Sequence, residues 1–250
     1  MAHSLPIHLQ PWMSEMSNIE WMNIRSHGLS SIRFLRNIRL NLPLLHAAMA
    51  YWDSSLHVFR FGLDEMCPTV EEFMAYLRGH ESIVPVIPEF NRNMSRRLST
   101  AFNISHGAAR FLLEGGNLNV LRIIAEFSPT GDEDDMAWQA RRRHALTICI
   151  LAAYFLVSSF GPVDPMLVGI AEQLTARKFI IPLALGETLV GLDRVRTGQT
   201  TTFGGSPLLL QVPHSALIFP VFTLSSFTSL SAKLTFGSLL VFFLSALSSF

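Results

Sequence analysis

Between Ala145 and Val157 the chain carries no charged side chain and almost no polar one, and this run follows directly on Arg141-Arg142-Arg143-His144. A helix that is hydrophobic on every side has no face left for water and has to be surrounded. The pattern is helical from about Met136 to Phe160, so the sequence predicts a long helix that starts at the surface and enters the centre of the core. It is too short and too charged at its start to cross a bilayer, which takes about 20 apolar residues. The rest of the chain must cover it.

The predicted cover is helical. Thr69 is placed to cap a helix, with Glu72 reaching back to the Thr69 amide and Val70, Phe73, Met74 and Leu77 along one face; Gly79 stops it. Short helices are expected over Arg96 to Phe102 and Gly107 to Leu113, with a break at Gly115-Gly116 and helical spacing again from Leu118 to Phe127. Asp164-Pro165 opens a helix through Arg177, Pro182 opens one through about Val195, and Phe203 to Pro207 is a loop leading into Leu208 to Val212. Phe59 and Phe61 alternate with Arg60 in a short strand over Leu56 to Phe61, and Ile83 to Pro88 is an extended edge or connector because of its two prolines. The expected fold is mainly α: one helical-array domain with one or two short strands, plus an apolar C-terminal tail. Residues 1–22 show no sustained period and are read as a loose leader, 23–212 as the domain and 213–250 as the tail.

Basic and acidic residues balance at 19 each, so no global field draws the chain to nucleic acid or anionic lipid. Cys67 and Cys149 stand far apart, outside any CxxC pair, which fits a reducing compartment better than a disulfide framework. The N-terminus lacks the basic start and apolar core of a secretory signal. Nearly all positive charge is arginine, with Lys178 and Lys233 the sole lysines. Arg33, Arg36 and Arg39 lie with Ile32, Leu35, Ile38 and Leu42 on a candidate basic amphipathic helix. Together with Arg141, Arg142 and Arg143 they are the candidate contacts to nucleic acid or a protein partner, because guanidinium forks suit phosphates and carboxylates. The competing use is a solvated face on a packed helix.

No catalytic residue, cofactor-binding residue or metal ligand is assigned. Gly131-Asp132-Glu133-Asp134-Asp135 fails the spacing of a calcium loop and suits the start of the long helix, where carboxylates meet unpaired amides. The nine histidines, His46 and His144 among them, lack HExxH spacing, and there is no GxSxG, P-loop or GxGxxG. Lys178 beside Arg177 is expected at a helix C-terminus, where a cation complements the dipole.

Several stretches, taken in order, resemble one family. Leu44-Leu45-His46-Ala47-Ala48 with Tyr51-Trp52-Asp53, then Val58-Phe59-Arg60-Phe61-Gly62, then Glu65 to Phe73, are similar to the opening of the plant mobile domain group, also labelled aminotransferase-like. Arg141 to Leu146, Gly186 to Asp193 and Phe203 to Gln211 resemble its transposon-derived plant branch of unknown function. The resemblance spans about Arg25 to Val212. It implies a helical, non-catalytic interaction module of nuclear location with an unidentified partner, and it supplies no active site. Despite the label, pyridoxal phosphate is not expected, since Lys178 is the sole lysine within that span.

Members of that branch continue into a longer, Trp-led helix, whereas here Val212-Pro213-His214 opens a segment whose one charge is Lys233. Two readings of this tail stand side by side: non-domain sequence, such as a retained intron or a shifted frame, or a membrane anchor carrying a cytosolic helical domain. Either way it exposes apolar surface to water. Deleting Pro213 to Phe250 is expected to move the chain from pellet to supernatant, checked by sedimentation; an unchanged partition overturns the expectation.

Overall fold

The computed structural model describes residues 5–37, 42–61, 63–77, 84–89, 93–128, 135–158 and 163–211, and they are mainly helical. At its centre is α9 (Met136–Ile150), which continues into a π-helical turn (Leu151–Phe155). Every residue from Ala145 to Phe155 is buried, as the apolar run requires. The Leu156 amide donates to the Leu151 carbonyl at 2.8 Å, the i to i+5 bond that widens the turn. The regular helix therefore ends well before Phe160, the expected terminus.

Around this axis pack α1 (Leu5–Ser14), α2 (Asn18–Ser26), α6 (Met94–Phe102), α8 (Val120–Phe127), α10 (Leu167–Thr175) and α12 (Pro207–Gln211). The apolar core they share runs from Leu5 to Leu209. The expectation of a loose leader is thereby corrected. Leu5, Leu9, Trp12, Met13 and Met16 recur at helical spacing and are all buried, with Pro6 in the first turn, where its missing N–H costs little, and Pro11 accommodated within the helix. Ser17 and Glu20 then form a reciprocal capping box that starts α2.

The basic amphipathic helix is also corrected. Its middle is a single turn, α3 (Ile32–Leu35), followed by α4 (Leu42–Met49); Ile38 and Arg39 lie outside the described residues. Gly28, at φ 73°, closes α2 by letting the Leu29 amide reach the Ile24 carbonyl, and Pro43 sits in the first turn of α4, where its missing N–H costs little.

Strand structure exceeds the expectation. β1 (Trp52–Asp53), β2 (Val58–Phe61) and β3 (Asp64–Met66) form an antiparallel sheet in that order, with Trp52 opposite Phe59 and Phe59 opposite Met66. After α7 (His106–Phe111), β4 (Leu113–Glu114) and β5 (Asn117–Leu118) form a hairpin turned by Gly115 and Gly116, at φ 57° and 85°, where a helix break was expected. The extended segment around Pro85 pairs with Phe179: the Val86 amide donates to the Phe179 carbonyl, and the Phe179 amide to that of Val84. α5 (Val70–Leu77) begins after Thr69 as expected, and Gly79 and Gly131 to Asp134 lie outside the described residues, as does the tail.

A second apolar cluster sits at the three-stranded sheet and joins segments far apart in sequence. Leu45, Met49, Trp52 and Phe59 pack there with Leu192 of α11 (Ile181–Arg196), Phe203 and Leu210. The Trp52 indole donates to Asp193 at 2.8 Å, and His57 Nε2 lies 3.0 Å from the other oxygen of that carboxylate. The loop Phe203 to Ser206 is pressed between α11 and the π turn. The Ser206 amide donates to Thr188 Oγ1 at 2.9 Å, the Ser206 hydroxyl donates to the Tyr154 carbonyl at 2.8 Å, and Val157 pairs with Gly205. A Cβ at Gly191 overlaps the Gly204 carbonyl, and one at Gly205 overlaps the Thr188 backbone. Because backbone cannot yield as a flexible side chain does, Gly191→Ala is expected to destabilise by about 2–4 kcal/mol, read from urea unfolding; a loss under about 0.5 kcal/mol overturns this packing.

Candidate functional site

Arginine placement decides which surface is left for function. Of the six candidates, Arg142 turns inward: its Nε donates to Glu20 Oε1 at 2.8 Å, its Nη1 donates to the Ser128 carbonyl at 2.9 Å, and its guanidinium lies 5.3 Å from the Trp12 ring. Both partners of this ion pair are buried, at 3 % exposure each. As a surface contact Arg142 is thus corrected: helical periodicity carries it to the face opposite solvent. Glu20 accepts also from the Ser17 amide at 2.8 Å and the Ser17 hydroxyl at 3.0 Å. Burial alone raises its pKa, yet the Arg142 and Ser17 hydrogen bonds with the Arg142 charge outweigh burial and hold the carboxyl below its ordinary value.

Arg36 is likewise committed, its Nη1 donating to the Met13 carbonyl at 2.7 Å and its guanidinium lying 5.4 Å from Trp21. Arg33 is exposed and lies 5.9 Å from the same ring. Arg39 lies outside the described residues. Among the described residues these arginines form no continuous free stripe.

Arg141 and Arg143 do come together, at a cleft of about 560 Å³ between α2, α6, α9 and α10. Ala137, Ala140, Arg141 and His144 line it at helical spacing along α9, joined by Arg143. α2 contributes Asn23 and the adjoining His27, α6 contributes Ala101 and Asn103 at its end, and α10 contributes Glu172 and Thr175. Alanine at 101, 137 and 140 leaves the space open.

The charges at the cleft are nearly all paired. Glu172 accepts from Arg97 at 2.8 Å, and Arg141 lies 3.8 Å from Asp135 while its Nη1 donates to the Asn103 carbonyl at 3.4 Å. Asp135 also caps α9, accepting from the Ala137 and Trp138 amides at 2.9 and 3.0 Å, the role expected for an acid at this helix start. Arg143 has no side-chain hydrogen bond or ion pair among the described residues. His144 packs edge-on to Phe102 at 5.4 Å, at the end of a column in which Phe102, Phe127 and Trp138 stack. Its Nε2 is buried without a hydrogen-bond partner, and burial lowers its pKa although the Glu172 charge opposes the shift. His27 places Nδ1 3.2 Å from Thr147 Oγ1.

Elsewhere, burial pushes the Cys149 thiol up, away from thiolate chemistry, and Cys67 is exposed. Lys178 follows α10 and donates to Gln173 Oε1 at 3.0 Å. Among the described residues no group of three or more His, Cys, Asp or Glu is placed to hold a metal, and no helix is long and apolar enough to cross a membrane. No family model, curated protein or solved structure matches the chain.

Sequence reasoning missed Asn23, His27, Asn103, Glu172 and Thr175, which no motif marks. It missed Glu20 as well, although Ser17-Asn18-Ile19-Glu20 is a readable capping box.

Because the Glu20 pKa is depressed in the fold, its stabilisation is fully present above the ordinary carboxyl value of 4.5 and is lost as pH falls through the lower folded value. His144 is held neutral, so its share is present above 6.5 and declines as pH falls below that value. Arg142→Met leaves Glu20 charged and buried and is expected to cost about 3–5 kcal/mol near neutral pH, part of it recovered by adding Glu20→Gln. Urea unfolding of the single and double variants checks this; independent, additive losses exclude the coupling.

Proposed function

We propose that this chain is a non-catalytic interaction module that receives a protein partner in the cleft between α2, α6, α9 and α10. The observation that carries the reading is Arg143: a charge at a concave surface with no hydrogen-bond or ion-pair partner among the described residues, beside donors otherwise committed to holding helices together. The resemblance to the transposon-derived plant mobile domain group adds a nuclear location and a module without an active site.

A protein partner is favoured over nucleic acid by the charge count. Proteins that hold duplex DNA through its backbone typically make about 6–10 phosphate contacts. Of the six candidate arginines, Arg36 and Arg142 are spent internally and Arg141 is paired, so among the described residues that set forms no phosphate track by itself. A cleft of about 560 Å³ has room for a side chain of a docked segment.

Arg143→Glu in the full chain is expected to release proteins that co-purify with the wild type while leaving the thermal midpoint within about 2 °C, since a partly exposed substitution away from the core costs little. Retention of the same partners by the variant overturns the reading. A salt-sensitive shift of DNA or RNA, unchanged by Arg143→Glu, replaces it with nucleic-acid binding elsewhere on the surface.

A further inference from the structure

The cleft has a chemical preference of its own. Its lining acid, Glu172, is paired with Arg97, and Arg141 is paired with Asp135 at the start of α9, so among the described residues the unbalanced charge is the Arg143 guanidinium. Asn23, Asn103 and Thr175 add neutral polar groups on the other walls. His144 brings a buried ring nitrogen, Nε2, that has no hydrogen-bond partner among the described residues, although buried polar atoms in folded proteins are ordinarily hydrogen-bonded. An excess cation beside open volume complements a compact anion, and the buried ring nitrogen becomes a further donor to it once the imidazole is protonated.

We propose that the cleft binds one anionic group, a carboxylate or a phosphate, with Arg143 as its counter-charge and His144 in the wall as the group whose protonation tightens binding. The inference rests on the interaction reading and names what the partner must present there: an acidic or phosphorylated side chain. The titratable and charged groups that line the cleft with His144 are Arg141 and Arg143 on its own helix, Glu172 on α10 and His27 after α2; the Glu172 charge acts on the imidazole and is itself paired with Arg97 of α6. In the free protein burial among Phe102 and its neighbours keeps the imidazole neutral. An anion in the cleft favours the imidazolium, so by linkage affinity rises as pH falls.

The test follows the His144 side-chain NMR signals of the full chain during titration with sulfate, which stands in for phosphate without changing charge near neutral pH, and in parallel with acetate. Saturable shifts are expected, with affinity rising about threefold or more from about pH 8 to about pH 6. Saturation by sulfate alone assigns a phosphate-type group, and saturation by acetate a carboxylate. Arg143→Ala is expected to weaken binding about tenfold or more, the loss of one charge-assisted contact. His144→Asn is expected to abolish the pH dependence while leaving binding near its value at about pH 8, followed through the His27 signals. No saturable shift with either anion, or equal affinity in Arg143→Ala, overturns the proposal. Partner capture that depends on Arg143 without small-anion binding sinks this inference alone; anion binding without any captured partner sinks the interaction reading alone.

Discussion

The buried pair of Glu20 and Arg142 is the interaction on which the arrangement of the N-terminal half rests. Two charges withdrawn from water cost several kcal/mol each, and the cost is offset only where the remaining donors and acceptors are filled. Here they are: Glu20 takes Arg142, the Ser17 amide and the Ser17 hydroxyl, while Arg142 adds the Ser128 carbonyl at the end of α8 and the Trp12 ring. One side chain on α9 thus fixes α1, α2 and α8 in a single geometry. An apolar contact of the same area permits sliding; this network does not, since displacing either partner leaves a charge in an apolar interior. That is how helices with little individual propensity, one of them interrupted by Pro11, hold their places around the central axis.

The same network separates the arginines of α9. Arg141, Arg142 and Arg143 are adjacent in sequence, but about 100° per residue of helical rotation sends them to different environments. Arg142 goes to the interior, Arg141 to a rim contact with Asp135, and Arg143 to the cleft. Read as letters, Arg-Arg-Arg is a basic patch. Folded, it is one structural residue, one paired residue and one charge that has no partner among the described residues.

How much of this was legible follows from the range over which each signal acts. The central helix, α5, α6, α10 and α11 were readable because apolar period and terminal residues are local. The apolar face of α1 was equally local, but Pro6 and Pro11 mask the spacing of Leu5, Leu9, Trp12, Met13 and Met16 when prolines are taken as breakers. The small sheets were only partly readable, since two- and three-residue strands such as β1 and β4 carry no measurable alternation. The cleft could not be read at all. Its residues come from four helices, and an asparagine at a helix end or a glutamate on a helix face looks the same whether or not it faces a cavity. Arg141 and Arg143 were named among the candidates, but nothing in the linear order distinguishes them from Arg142.

The residues that carry the family resemblance are spent largely on packing. Trp52 and Asp193 bond to each other, Gly191 admits the Gly204 carbonyl, Gly205 lies against Thr188, and Ser206 ties that loop to Tyr154. Asn23, Asn103, Glu172 and Thr175, by contrast, belong to none of the resembling stretches. A motif dominated by close backbone approaches and buried hydrogen bonds specifies how helices meet, because substitution there costs stability whatever the protein binds. On α9 the two uses meet within one resembling stretch, Arg141 to Leu146: Arg142 turns into the core, while Arg141, Arg143 and His144 line the cleft.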